Sequence, residues 1–217
     1  MSTINKKKEK VKEIVKRLKN EYPDSKCSLI YESPFQLLVA TILSAQCTDE
    51  RVNSVTPALF KKYPGPEQMA KAKLSNLEII IHSTGFYRSK ANSLIRCSQE
   101  LVKEFNGRVP ATIEELTSLH GIGRKTANVI LGTCFEKPAI IVDTHVKRVA
   151  NRLGLTTQSD PTKIEYDLQA LFPQKDWSGG SQRLLLHGRY VCVARAPKCG
   201  PCAVYVECHW KGKLPRT

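Results

Sequence analysis

Apolar positions recur along the chain at helical intervals. Val11, Ile14, Val15 and Leu18 fall at i, i+3, i+4 and i+7, one face of an N-terminal helix. Ser33-Pro34-Phe35-Gln36 joins an N-cap serine, a proline at the first helical position and a capping-box glutamine. It opens the apolar run FQLLVATILSAQ, which predicts a buried helix. LSNLEIIIHSTG predicts a helix stopped by a left-handed Gly85, and RSKANSLIRCSQELVKEFNG one stopped in the same way at Gly107. Asp160-Pro161 caps a further helix through Leu171. No run alternates apolar and polar over the length of a strand, and no repeat appears. The pattern predicts an all-α fold.

The segment ATIEELTSLHGIGRKTANVILGT predicts a helical hairpin. Thr112 and Glu115 form a capping box for a helix to about Leu119. His120-Gly121-Ile122-Gly123 turns the chain, and a second helix runs from Arg124 to about Gly132 with Ala127, Ile130 and Leu131 inward. Gly121 and Gly123 permit positive φ and close approach of another backbone, while Ile122 anchors the turn. The N–H groups opening the second helix then face outward as an anion site. Lys125 sits in that first turn, where the helix dipole disfavours a cation. Arg124 is adjacent, and Lys137 and Arg148 are near in sequence. Cationic neighbours and partial burial favour the neutral, nucleophilic amine. A phosphate-contacting lysine is the alternative, and the residues alone do not choose between them.

Downstream, PAIIVDTHVKRVANRLGL holds a short buried run, Ala139 to Val142, and then Asp143 ahead of Val146, Val149, Ala150 and Leu153 at helical spacing. Asp143 reads as a helix N-cap. A helix from Arg124 to Cys134 rises about 15 Å at roughly 1.5 Å per residue. The stretch from Cys134 to Asp143 reaches about 30 Å if extended. The chain can therefore return Asp143 to Lys125, but nothing in these lengths requires it.

Charge changes the picture next. Lys and Arg number 34 against 20 Asp and Glu, a formal net charge of +14 in 217 residues. A polyanion, nucleic acid first, is the partner such an imbalance implies. No run of about eighteen apolar residues offers a membrane span. The N-terminal MSTINKKKEKVKEIVKRL lacks the apolar core of a signal peptide, so a cytoplasmic protein with reduced thiols is expected.

Four of the eight cysteines crowd into CVARAPKCGPCAVYVEC, spaced C-x6-C-x2-C-x5-C as Cys192, Cys199, Cys202 and Cys208. Reducing surroundings weigh against disulfides. Zinc more often takes two separated Cys-x2-Cys pairs. Four thiolates in one short span suit a tetranuclear cluster, although the spacing is not that of a ferredoxin. Cys27, Cys47, Cys97 and Cys134 lie in apolar surroundings and read as core fillers.

Gly-Ile-Gly-Arg-Lys-Thr-Ala resembles the helix-hairpin-helix element of DNA repair glycosylases. The lysine directly after Gly-x-Gly-Arg is similar to that of the endonuclease III family. VDTHVKR resembles the family's Val-Asp-Thr-His segment, and the four-cysteine spacing resembles its [4Fe-4S] loop. The resemblance covers Pro34 to Cys208. It implies catalytic roles for Lys125 and Asp143, and a [4Fe-4S] cluster on Cys192, Cys199, Cys202 and Cys208.

For DNA contact, the resemblance implies the hairpin residues Gly121, Ile122, Gly123 and Arg124. ILSAQCTD resembles the segment whose glutamine, here Gln46, enters the space left by an extruded base. GFYRSKA resembles the loop that wedges into the duplex, here through Phe86. Arg195 and Lys198, between the first two cluster ligands, present charge to phosphate if the loop is rigid. Two departures stand out. His120 replaces the proline common in the hairpin, and Phe86 replaces a smaller aliphatic.

The implied architecture is two helical lobes. Residues 27–137 form the helix-hairpin-helix domain, and residues 1–26 with 138–217 the iron–sulfur cluster domain. DNA would lie across a cleft, with Lys125 and Asp143 facing each other there. The implied activity is base-excision repair by a monomer in the cytoplasm, at the nucleoid if bacterial. The resemblance implies action on double-stranded DNA with damaged bases or abasic sites, by a DNA N-glycosylase for oxidised pyrimidines that is also an AP lyase cutting 3′ to the site by β-elimination. A mismatch glycosylase is the first rival, and Lys125 and the end at Thr217 count against its adenine-specific branch. A non-catalytic DNA-binding module is the second, and the presence of both Lys125 and Asp143 counts against it.

Overall fold

In the computed structural model, which describes residues 3–25 and 27–216, the described residues form helices and turns with no strand. They fall into two compact units, one of Cys27–Lys137 and one joining Met1–Lys26 to Pro138–Thr217.

The Cys27–Lys137 unit contains α2 (Pro34–Leu43), α3 (Asp49–Lys62), α4 (Pro66–Ala70), α5 (Leu74–Ile81), α6 (Tyr87–Phe105), α7 (Ile113–Ser118) and α8 (Arg124–Cys134). Ser33 caps α2 as the capping box predicts, its hydroxyl accepting the Gln36 N–H at 3.2 Å. The glutamine side chain reaches back to the Glu32 N–H at 2.9 Å. Every α2 residue from Leu37 to Leu43 is buried, so α2 is the axis of this unit and packs on α3, α6 and α8. The amphipathic α6 covers α4 and α5, with Ala91, Leu94, Cys97 and Leu101 inward.

The helix stops differ from expectation. α5 passes into a 3₁₀ turn, His82–Thr84, and Gly85 takes φ 69°, ψ 156°, outside the left-handed helical region. The left-handed residue is Phe86. At the end of α6 the left-handed cap is Asn106, followed by Gly107 at φ 74°. Asparagine tolerates that conformation because its short polar side chain bonds locally.

The other unit contains α1 (Thr3–Glu21), α9 (Thr144–Arg152), α10 (Pro161–Leu171) and α11 (Trp177–Tyr190). Val11, Ile14, Val15 and Leu18 of α1 join Val146, Val149, Ile164, Leu168 and Leu184 in one core. The irregular run Ala139–Val142 is buried, and serines of α11 serve its backbone. Ser178 Oγ accepts the Ala139 N–H and Ser181 Oγ the Ile141 N–H, each at 3.2 Å. α11 packs on α9 at Gly188, where a Cβ would stand 2.8 Å from His145 Cβ and 3.2 Å from the His145 carbonyl. Only glycine admits that approach.

Candidate active site and metal-binding loop

Thr112 Oγ1 accepts the Glu115 N–H at 3.3 Å and donates to the Glu115 carboxylate at 2.6 Å, so α7 starts where the capping box predicts. Leu119 and Ile122 are buried and pin the turn. The two hairpin glycines are not equivalent. Gly121 has φ 79°, and a Cβ there would meet Ser93 at 3.1 Å. Gly123 has an ordinary φ of −91° with open space around its Cα, contrary to the expectation of positive φ. Its use is different: as N-cap of α8 it brings no side chain to the first amides of the helix. Those N–H groups could donate to an anion. The His120 N–H donates to the Glu100 carboxylate, which ties the hairpin to α6.

Lys125 lies in the first turn of α8 and is exposed, not partly buried as expected. Two of the basic residues near it in sequence bond to backbone carbonyls of their own units. Lys137 Nζ donates to the Ala111 carbonyl at 2.6 Å. Arg148 donates to the carbonyls of Cys192 at 3.0 Å and Gly188 at 2.6 Å.

Asp143 is the N-cap of α9, its Oδ1 accepting the Val146 N–H at 2.7 Å. The cap needs one carboxylate oxygen only. The same helix reaches the cysteine loop at its other end. Arg152 donates to Cys192 Sγ at 3.4 Å, Val193 O at 2.8 Å and Ala194 O at 2.9 Å, while Trp210 stacks on its guanidinium. One nine-residue helix thus runs from Asp143 to the loop that holds the four cysteines.

Cys192, Cys199, Cys202 and Cys208 line one pocket, partly open to solvent, whose wall also includes the apolar Val149, Leu153 and Val204 and the basic Arg152, Lys198 and Lys213. Among the described residues no group of three or more His, Cys, Asp or Glu is placed to hold a single metal ion. Four thiols lining one pocket could serve as the ligands of a polynuclear centre, for which four cysteines are the usual set.

Burial pushes the Cys202 thiol up to about 11. A bond to the Val204 backbone opposes the shift, and the neighbouring thiolates of Cys192, Cys208 and Cys199 add to it. A bound cluster reverses that direction, because coordination deprotonates the thiol. Burial also lowers His187 to about 4, leaving a neutral ring with Nε2 3.5 Å from Cys202 Sγ and Nδ1 3.4 Å from Tyr22 Oη.

The loop backbone is held by further cations. Lys213 donates to the carbonyls of Tyr205 at 3.0 Å and Cys208 at 2.9 Å, and Arg216 to that of Cys202 at 3.3 Å. Arg148, Arg152, His187, Lys213 and Arg216 are not marked by any sequence motif. Their one sequence signal is the i, i+4 spacing of Arg148 and Arg152 on the helix that Asp143 opens. Arg195 and Lys198 are exposed on either side of Ala196, which takes φ 48°.

Gln46 and Phe86 are both exposed and both left-handed, at φ 52° and 47°. Phe86 is 66% accessible and is no part of the core. Of the four other cysteines, Cys97 is buried and Cys27, Cys47 and Cys134 are half-buried.

A model of the HhH-GPD superfamily of base excision DNA repair proteins matches residues 39–174. The chain is 52% identical over 203 residues to endonuclease III of Synechocystis sp., covering 93% of each chain. It is 39% identical to endonuclease III of Escherichia coli, covering 93% of this chain and 96% of that one. A solved trapped endonuclease III–DNA covalent intermediate superposes with a TM-score of 0.89 at 40% identity, covering 96% of this chain and 97% of that one. A thermostable thymine-DNA glycosylase has the same fold, with a TM-score of 0.85 at 23% identity.

Proposed function

This chain belongs to the endonuclease III family of base-excision DNA glycosylases and AP lyases, and from that premise we propose that its substrates are oxidised pyrimidines in double-stranded DNA, with Lys125 as nucleophile and Asp143 as its acidic partner. The observation that carries the reading is the position of Lys125. It is an exposed amine in the first turn of α8, two residues after an N-cap that leaves the helix amides open to phosphate.

The damaged nucleotide leaves the stack at a cost of roughly a few kcal/mol, least for lesions. Phosphate binding at the hairpin amides holds the strand while Gln46 and Phe86 fill the vacated stack. The Lys125 amine attacks C1′ and the C1′–base bond breaks. The carboxylate of Asp143 supports the positive charge building on the sugar, as carboxylates do in glycosidases. The covalent product opens to a Schiff base between Nζ and C1′. Loss of the C2′ proton then expels the 3′ phosphate by β-elimination. Cys192, Cys199, Cys202 and Cys208 would hold a [4Fe-4S] cluster, which would supply a structural staple to a loop with no helix or strand of its own and so fix Arg195 and Lys198 toward the backbone.

Incision of a lesion panel tests this reading. Duplexes with a ring-saturated or hydroxylated pyrimidine should be cut, and those with G·T or adenine mismatches left intact. Release of thymine or adenine from mismatches, with oxidised pyrimidines untouched, would sink the substrate assignment.

A further inference from the structure

Lys90 is a buried lysine that the chemistry above does not use. It is 5% accessible and sits on the inward face of α6, in register with Leu94, Cys97 and Leu101. Burial disfavours an ammonium unless it is well paired. Its Nζ donates to the Leu43 carbonyl and the Thr84 carbonyl, each at 2.8 Å. Leu43 is the last residue of α2, and Thr84 the last of the 3₁₀ turn after α5. Both carbonyls therefore stand at the negative ends of helical segments, where a cation is favoured. Sharing one nitrogen, they are no further apart than twice that bond length.

Shortly beyond each anchored carbonyl the chain reaches a non-glycine residue at positive φ. Three residues past Leu43 comes Gln46, and two past Thr84 comes Phe86, both exposed non-glycine residues in the left-handed region. Such backbone persists only where its surroundings enforce it. Phe86 is the N-cap of α6, and the first helical bond runs from the Lys90 N–H to the Phe86 carbonyl at 3.1 Å. The Gln46 turn is closed by the Cys47 N–H on the Ser44 carbonyl at 3.1 Å.

We infer that Lys90 is a positioning residue that welds the Gln46 turn and the Phe86 turn into one rigid probe, so that both side chains enter the duplex in fixed register. This rests on the reading of Gln46 and Phe86 as the residues that occupy the opened stack. Lys90 itself touches no DNA. Without its charge the two turns remain but lose their common anchor.

The test is base extrusion, monitored by fluorescence of a 2-aminopurine placed beside the lesion. Lys90→Met, which keeps the volume and removes the donor, should slow extrusion by about tenfold or more, with borohydride trapping on a single-stranded abasic oligonucleotide changed by less than about twofold. In a Gln46→Ala/Phe86→Ala background the same substitution should have no further effect, since it acts through those residues. If Lys90→Met does not fold, Lys90→Gln, which keeps one donor group, carries the same comparison. Equal slowing in both backgrounds, no slowing in either, or equal loss of single-strand trapping overturns the inference. Wild-type extrusion by Gln46→Ala/Phe86→Ala removes the reading beneath it and the inference with it, a separate and recognisable result.

Discussion

Lys125 and Asp143 differ in what else they do, so their substitutions separate chemistry from folding. Lys125 is exposed and makes no cap. Lys125→Ala should shift stability by no more than about 0.5 kcal/mol. It should keep affinity for abasic duplex while losing lyase activity. Asp143 caps α9, and asparagine caps as well as aspartate. Asp143→Asn should therefore melt like the parent and lose glycosylase activity by about 10²-fold or more. Part of the lyase activity on a preformed abasic site should remain, because there the base has already left. Asp143→Ala should add a cap loss of about 1 kcal/mol. Thermal melts beside single-turnover assays on the two substrates check all three.

Sequence pattern makes Asp143 legible as a cap because capping is local. The exposure of Lys125 is not legible, since it depends on what packs over the first turn of α8. Lys90 is half legible: a lysine in an apolar register is visible, but its two carbonyl partners lie in distant segments.

Among the elements, the hairpin holds two glycines that the proposed function sets apart. Gly121→Ala meets both a positive φ and the Ser93 side chain. It should cost about 1–3 kcal/mol, read as a lowered melting temperature. Gly123→Ala meets neither, so the fold should hold. The added methyl would crowd a phosphate approaching the α8 amides, so affinity for abasic duplex should drop. A melting shift at Gly123→Ala larger than at Gly121→Ala would contradict this division.

Helix starts at Ser33, Thr112, Asp143 and Asp160 are readable because each cap lies within three residues of its partner. α3 has a local cap too, Thr48 accepting the Arg51 N–H at 3.3 Å, but its interior and the start of α11 resist a reading from propensity. α3 carries Pro57 in its interior, and α11 opens with Trp-Ser-Gly-Gly, poor helix formers that packing overrides. Gly180 shows the reason, lying against the Phe172 ring where a Cβ would approach to 2.8 Å. The four-cysteine spacing is plain in the sequence. The arginines and lysines that hold the loop backbone are not, because they come from α9 and from the residues after Cys208.

For the whole molecule, a net charge of +14 implies phosphate-dominated binding. Affinity for duplex should fall steeply with salt, and removing Arg195 and Lys198 together should flatten the slope by up to about two phosphate equivalents. An unchanged slope would show that the cysteine loop stays clear of DNA. The purified protein should carry iron and inorganic sulfide in equal amounts. Cys202→Ala should lose solubility as well as iron, since that thiol lies between the loop and the apolar core. Stoichiometric zinc without iron would contradict the cluster.

If the chemistry passes through one amine, borohydride trapping reaches it directly. The protein is reduced on lesion-containing duplex, the covalent adduct is digested, and the modified peptide is sequenced by mass spectrometry. The sugar remnant should be found on Lys125 and absent in Lys125→Ala. An adduct on any other residue, or one formed by Lys125→Ala at the parental rate, would contradict the assignment.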